Sequence, residues 1–249
     1  MKENKYDDAR FFSRYGKMQR SQLGLAGAGE WHALRHMLPT VAGKDVLDLG
    51  CGFGWHCRYV MEHGAGSVVG IDISEKMLAR AREINSMEGI TYMRQAIEDV
   101  KYPPERFDVV FSSLAFHYLA SFDDICRHVY EWLRPCGHFV FSVEHPVFTA
   151  AGGQDWVYDE QGVIRHWPVD RYFEEGARQA AFLGTQVIKY HRTLTTYLQG
   201  LLRQGFYIRE VIEPAPSEEM LQSVEGMRDE LRRPMMLLIA AEKPKKIFC

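Results

Sequence analysis

The stretch Val46-Leu47-Asp48-Leu49-Gly50-Cys51-Gly52-Phe53-Gly54 constrains this chain more than any other. An apolar run that breaks into glycines predicts a buried strand delivering its backbone into a tight turn. A second short apolar run, Val68-Val69-Gly70-Ile71, ends on an acid, Asp72, 22 residues beyond Gly50. The pair of segments suits a nucleoside: glycines let the backbone approach the ligand, and the acid accepts hydrogen bonds from ribose hydroxyls.

Two details narrow the ligand. A dinucleotide site needs a third glycine three residues after Gly52, where this chain has Trp55. An acid, Asp48, also stands just before the loop, where it repels a diphosphate but suits an ammonium. A cofactor with a ribose and an amino-acid tail fits both departures; NAD fits neither. The segment resembles the first motif of the S-adenosylmethionine-dependent methyltransferases of the doubly wound class (class I). The resemblance implies that the loop of Gly50 and Gly52 cradles the methionine portion and that Asp72 binds the ribose. Asp48, Cys51, Ile73 and Met77 complete the cofactor-binding set expected around them.

Residues 45–145 alternate short β-rich runs with amphipathic stretches. Val46–Leu49, Ser67–Ile71, Ile90–Met93, Phe107–Phe111 and His138–Val143 read as strands; Trp55–Glu62, Ser74–Asn85 and Phe122–Leu133 read as helices, with Ser74 a plausible N-cap. Such alternation predicts an α/β fold whose parallel sheet is covered on both faces, with ligands outside the carboxyl ends of the strands. The rhythm breaks at Pro146. The following segment is rich in Trp, Tyr and His, is too long for an ordinary connection, and reads as a small cap with a hairpin of Asp155–Asp159 and Val163–Trp167 around Gly162. Leu194–Leu202 then reads as a helix, and Phe206–Val211 and Met235–Ala240 as strands. The family resemblance implies a Rossmann-like, doubly wound sheet of seven mostly parallel strands with an antiparallel last strand. It divides the chain into a helical lid (1–40), a cofactor core (41–145), a substrate cap (146–190) and a C-terminal completion of the core (191–249).

The remaining site residues follow from the same resemblance. After the third strand, Gln95-Ala96-Ile97-Glu98-Asp99-Val100 is where the family receives adenine. The family's frequent aspartate aligns with Ala96, so Glu98 or Asp99 takes its place, with Ile97 against the ring. Ser112 and Ser113 close the fourth strand near the transferred methyl, and no nucleophile elbow surrounds either. Tyr6, Phe11, Phe12, Tyr15 and Met18 form an apolar helical stripe, a packing face that the family uses as a lid. Tyr15 or Arg20 then reaches the cofactor carboxylate, for which a guanidinium offers a bidentate fork.

Three histidines are candidate catalytic groups. His145, in Glu144-His145-Pro146 at the fifth strand's end, serves as base or acceptor-orienting group, or else fastens the cap through a backbone bond. His117 lines the pocket or tethers the next helix. His191 lies in Tyr190-His191-Arg192-Thr193, where the chain re-enters the core. Asp170, Tyr172, Glu174 and Arg178 are candidate substrate contacts in the cap. Methyl transfer is a collinear displacement, so positioning can outweigh any one base.

Composition bounds the rest. The chain has 249 residues and a net charge of −3; basic residues at Arg228, Arg232 and Arg233 are interleaved with Asp229 and Glu230 and read as a solvated helix face. Nothing predisposes it to nucleic acid. Its five cysteines (Cys51, Cys57, Cys126, Cys136 and Cys249) have no metal-knuckle spacing and suggest a reducing, cytoplasmic setting. The polar N-terminus and the lack of a long apolar run point away from secretion and membranes. The expected activity is methyl transfer from S-adenosylmethionine, leaving S-adenosylhomocysteine, to an oxygen or nitrogen of a small soluble metabolite, without a metal. A protein or RNA methyltransferase and a noncatalytic cofactor-binding module are the alternatives, and a homo-oligomer stays open.

Overall fold

In the computed structural model, which describes residues 4–245, the apolar runs become neighbours in one sheet. Three short helices come first: α1 (Ala9–Tyr15), α2 (Gln19–Gln22) and α3 (Trp31–Met37). The alternating unit follows as β1 (Asp45–Leu49), α4 (Trp55–Glu62), β2 (Ser67–Asp72), α5 (Glu75–Ile84), β3 (Ile90–Arg94), β4 (Phe107–Ser113), α6 (Phe122–Trp132) and β5 (Leu133–Glu144). Ser74 caps α5, its hydroxyl accepting from Met77 N at 3.2 Å, a device worth about 1 kcal/mol.

Period-two alternation decides which helices each strand residue meets. Leu47 and Leu49 of β1 face one buried layer with Ile125, Val129 and Trp132 of α6. Val46, one residue out of phase, joins Cys57, Val60 and Leu78 on the other side. A third cluster packs Trp31, Leu34 and Met37 of α3 onto Phe111, Val140 and Leu238. The sheet is therefore covered on both faces.

Beyond β5 the chain forms α7 (Pro146–Thr149), then two hairpins: β6 (Val157–Tyr158) with β7 (Ile164–His166), and β8 (Gly176–Phe182) with β9 (Thr185–His191). The first hairpin was expected. The second was not; it turns at Leu183 and Gly184, both with positive φ. The chain finishes with α8 (Leu194–Gln204), β10 (Tyr207–Ile212), α9 (Glu218–Ser223) and β11 (Met236–Glu242). The seven-stranded order is β10-β11-β5-β4-β1-β2-β3, with β11 antiparallel to both neighbours and the pairs within β1–β5 parallel.

The Arg228–Arg233 segment corrects one expectation. Arg228 and Arg232 are exposed, but Arg233 is buried: its guanidinium carbon lies 4.2 Å from the Trp167 ring centre, 4.7 Å from Phe148 and 5.1 Å from Trp156. It pairs with Glu230 at 2.6 Å. Aromatic faces replace water around this cation. Cys249 lies outside the described residues. Among the described residues, no helix is long and apolar enough to cross a membrane.

Candidate active site

The carboxyl ends of β1, β2 and β4 open into a chamber of about 700 Å³. Its floor is the glycine turn. Gly50 has φ +81°, and a Cβ there would stand 2.5 Å from Ala115 Cβ, so the position admits only bare backbone. Asp72 ends β2, where its Oδ2 accepts from Gly52 N at 2.9 Å and its Oδ1 from Ser74 N at 2.8 Å. The carboxylate braces the loop and the start of α5 together while still lining the chamber. Burial raises its pKa to about 6, with Asp7 adding to the shift against the pull of the backbone N–H groups of Ser74, Gly52 and Ile73.

Trp55 stands where a dinucleotide site has its third glycine. Gly24 makes room for it: a Cβ at Gly24 would lie 2.9 Å from the indole. The bulk that excludes a pyrophosphate thus packs the N-terminal segment against the loop. Arg20 from this segment donates through Nη2 to Glu30 Oε1 at 2.9 Å, and Ser113 donates to the same oxygen at 2.9 Å. Burial opposes the Glu30 charge, but Arg20 and these bonds outweigh it and hold the carboxyl below its ordinary range.

Of the expected cofactor residues, Tyr15, Arg20, Gly50, Gly52, Asp72, Ile73, Met77, Ile97 and Glu98 line the chamber. Asp48, Cys51, Asp99 and Ser112 do not. Asp48 shares the face of Val46, so strand alternation sends it beneath the loop toward α4, where Oδ2 accepts from Cys57 Sγ at 3.3 Å. It is almost wholly buried, and burial raises its pKa to about 7. Cys51 borders a smaller cavity of about 60 Å³ with Trp55 and His56. Ser112 donates to Leu49 O at 2.7 Å inside the sheet, and Ser113, on the opposite face, is the serine that lines the chamber.

The histidines separate sharply. His117 lines the chamber. His145 does not: Glu144 faces the chamber, so its neighbour turns away, accepts from Val147 N at Nδ1 (3.0 Å) as the cap of α7, and places Nε2 2.7 Å from Glu213 Oε1. His191 also stays outside, held between Thr149 Oγ1 at 2.7 Å and Tyr172 O at 2.9 Å. Both are fasteners of the inserted segment. Among the cap candidates, Arg178 bonds Ala150 O, Arg171 O and Glu174 O, Tyr172 accepts from Leu194 N, and Asp170, Tyr172, Glu174 and Arg178 all lie outside the lining.

Tyr6, expected in the lid stripe, lines the chamber; sequence reasoning missed Tyr118 as a chamber residue, and also Gln154 and Lys189. Lys189 is buried and its Nζ meets Glu144 Oε1 at 2.5 Å. Its signal was present: Val187, Lys189 and His191 occupy alternate positions of a β-rich run beside Gly184. The roof is closed by Phe11 of α1, which packs on Ala180 and Val187, and by Arg14, whose Nη1 donates to Leu183 O at 2.6 Å. Among the described residues, no cluster of three His, Cys, Asp or Glu side chains is arranged for a metal ion.

Comparison with known proteins follows the same lines. Residues 47–141 match the family described as Methyltransferase domain. A candidate S-adenosylmethionine dependent methyltransferase of Listeria monocytogenes shares 58% identity and a TM-score of 0.85, over 89% of this chain and 100% of that one. An S-adenosylmethionine dependent methyltransferase of Mesorhizobium loti shares 47% identity and a TM-score of 0.82, over 88% and 100%. An uncharacterized protein of Haemophilus influenzae is 33% identical across 97% of both chains.

Proposed function

The chain belongs to the class I S-adenosylmethionine-dependent methyltransferases, and from that premise we propose that it methylates an oxygen or nitrogen of a small soluble metabolite. The chamber residues fit the cofactor. Asp72 has lone pairs left for a ribose diol, Gly50 and Gly52 admit a ligand against backbone, and Ile97 and Glu98 line the chamber on the segment to which the family resemblance assigns adenine. Arg20 spends Nη2 on Glu30 and Ser113, which leaves Nη1 and Nε for the carboxylate of the methionine tail. When bound, S-adenosylmethionine supplies an electrophilic methyl carbon on a sulfonium.

The single observation that supports a small acceptor is the roof. Residues of α1 and of the β8–β9 hairpin meet above the chamber; Phe182 and Lys189 of that hairpin line it, together with Tyr6, which precedes α1, and Phe148 of α7. A polymer acceptor calls for an open, cationic path along its backbone; this chain has a net charge of −3. Positioning within such an enclosure can supply up to roughly 7–11 kcal/mol of barrier reduction. The four described cysteines are free, which supports a reducing, cytoplasmic setting.

A methyl-transfer screen across metabolites, peptides and RNA, read by mass spectrometry of the products, tests the reading. Methylated product among the small molecules is expected. Labelling of RNA or peptide alone sinks it.

A further inference from the structure

The polar groups around the roofed end of the chamber are unevenly matched. Glu144 accepts from Lys189 Nζ at 2.5 Å through Oε1 and from Gln154 Nε2 at 2.6 Å through Oε2, and Lys189 also donates to Gln154 Oε1 at 2.8 Å. Both carboxylate oxygens are engaged, whereas this ring uses two of the three Lys189 N–H groups, and the ammonium's other neighbours are the Phe182 and Tyr118 rings, 4.9 and 5.9 Å from Nζ to the ring centres. His117 accepts the backbone N–H of Glu144 at Nδ1, 3.4 Å away, so a neutral ring carries its proton on Nε2. Tyr6 donates its hydroxyl to Tyr118 at 3.3 Å, which leaves the Tyr118 proton to give. His117, Tyr118 and Lys189 line the chamber. The site offers donors.

None of these groups is a base suited to neutral pH. Burial pushes His117 down to about 4, with Glu144 pulling weakly the other way, so its ring is neutral and its free nitrogen is a donor. Burial raises Tyr6 and Tyr118. Burial also works against the Glu144 charge, but the Lys189 ammonium and the hydrogen bonds from Lys189 and Gln154 hold that carboxyl low.

We propose that the acceptor is a small molecule bearing a carboxylate, received by His117 Nε2–H, the Tyr118 hydroxyl and the remaining Lys189 N–H, and released as its methyl ester. This rests on the small-molecule reading above. The step balances without a proton. A lone pair of the acceptor oxygen forms the bond to the methyl carbon, and the sulfur–carbon pair returns to sulfur. The carboxylate loses its negative charge as the sulfonium loses its positive one. A carboxylic acid, with a pKa near ~4, is already ionised at neutral pH, whereas a phenol or an amine near ~10 brings a proton that some base must take. Lys189 neutralises Glu144, so the protein's own acid does not repel the ligand.

The test uses the full chain with S-adenosylmethionine carrying a tritiated methyl group. Acceptors are a panel of small carboxylic acids, phenols and amines, together with the small-molecule, protein and RNA fractions of a bacterial extract. Dilute alkali frees methanol from esters and leaves ethers and N-methyl groups intact. The expected result is label on small carboxylic acids that alkali releases as methanol. At saturating cofactor its rate of formation is flat from about pH 7 to about pH 9, well above the acceptor pKa. His117→Ala and Tyr118→Phe should each raise the acceptor KM by about tenfold, the loss of a hydrogen bond to a charged group, with cofactor affinity unchanged. Alkali-stable label on small molecules overturns the carboxylate proposal and leaves the small-molecule reading intact. Label confined to protein or RNA, or absent from every fraction, overturns both. A rate that climbs about tenfold per pH unit shows an acceptor still losing its proton and overturns the base-free step.

Discussion

Lys189 Nζ lies 2.5 Å from Glu144 Oε1, a buried ion pair that joins the inserted β8–β9 hairpin to the last parallel strand of the core. Its partners come from segments 45 residues apart, and Gln154 closes the ring from the loop after α7.

Removing one member of this pair strands the other. Lys189→Met should cost about 3–5 kcal/mol, because Glu144 is then a buried charge without its cation. Lys189→Met combined with Glu144→Gln should recover most of that loss. Urea unfolding of the two variants measures the difference, and equal destabilisation would show that the pair does not act as a unit.

Asp72→Ala should weaken cofactor affinity by about 1–3 kcal/mol through lost ribose hydrogen bonds. The pH dependence has a definite sign. The carboxyl is raised to about 6, so above that pH it is charged and accepts fully, and binding weakens as pH falls through about 6. Calorimetric titration with S-adenosylhomocysteine at a series of pH values should show this fall in the native protein and its absence in Asp72→Asn.

His145→Ala should leave the single-turnover rate unchanged. The ring caps α7 and contacts Glu213, so its loss should appear as about 1 kcal/mol of stability. A large fall in transfer rate at unchanged folding would return His145 to the chemistry.

Arg233→Lys replaces a planar cation, stacked among Phe148, Trp156 and Trp167, with an ammonium that cannot stack. A loss of about 1–2 kcal/mol is expected. Because Phe148 also lines the chamber, the acceptor KM should rise while cofactor affinity holds. Thermal unfolding and steady-state kinetics on one preparation separate the two effects.

The βα core was legible because its signals are local. Val46–Leu49, Trp55–Glu62 and Ser67–Ile71 fall within a residue of the observed elements, since short apolar runs mark the strands and the glycine turn marks where the helix begins. The face each residue takes was harder to read. Asp48 and Ser112 belong to motif strands, yet one step of the pleat sends each into the interior and leaves Ser113 in the chamber. The roof was least legible. Lys189 gains its meaning from Glu144, and Arg233 from three rings of the insertion; such partners are fixed by tertiary packing, which no window along the chain contains.

Phe11 meets Ala180 and Val187 across some 170 residues of chain, while the seven strands pair with one another in a sheet of their own. Both roof pieces hang from strand ends or precede the first strand, so neither contributes a rung to the seven-stranded ladder. Lengthening or replacing them changes no register in the sheet. A lineage can therefore rewrite the covering segments while the sheet and the glycine turn beneath them are inherited intact.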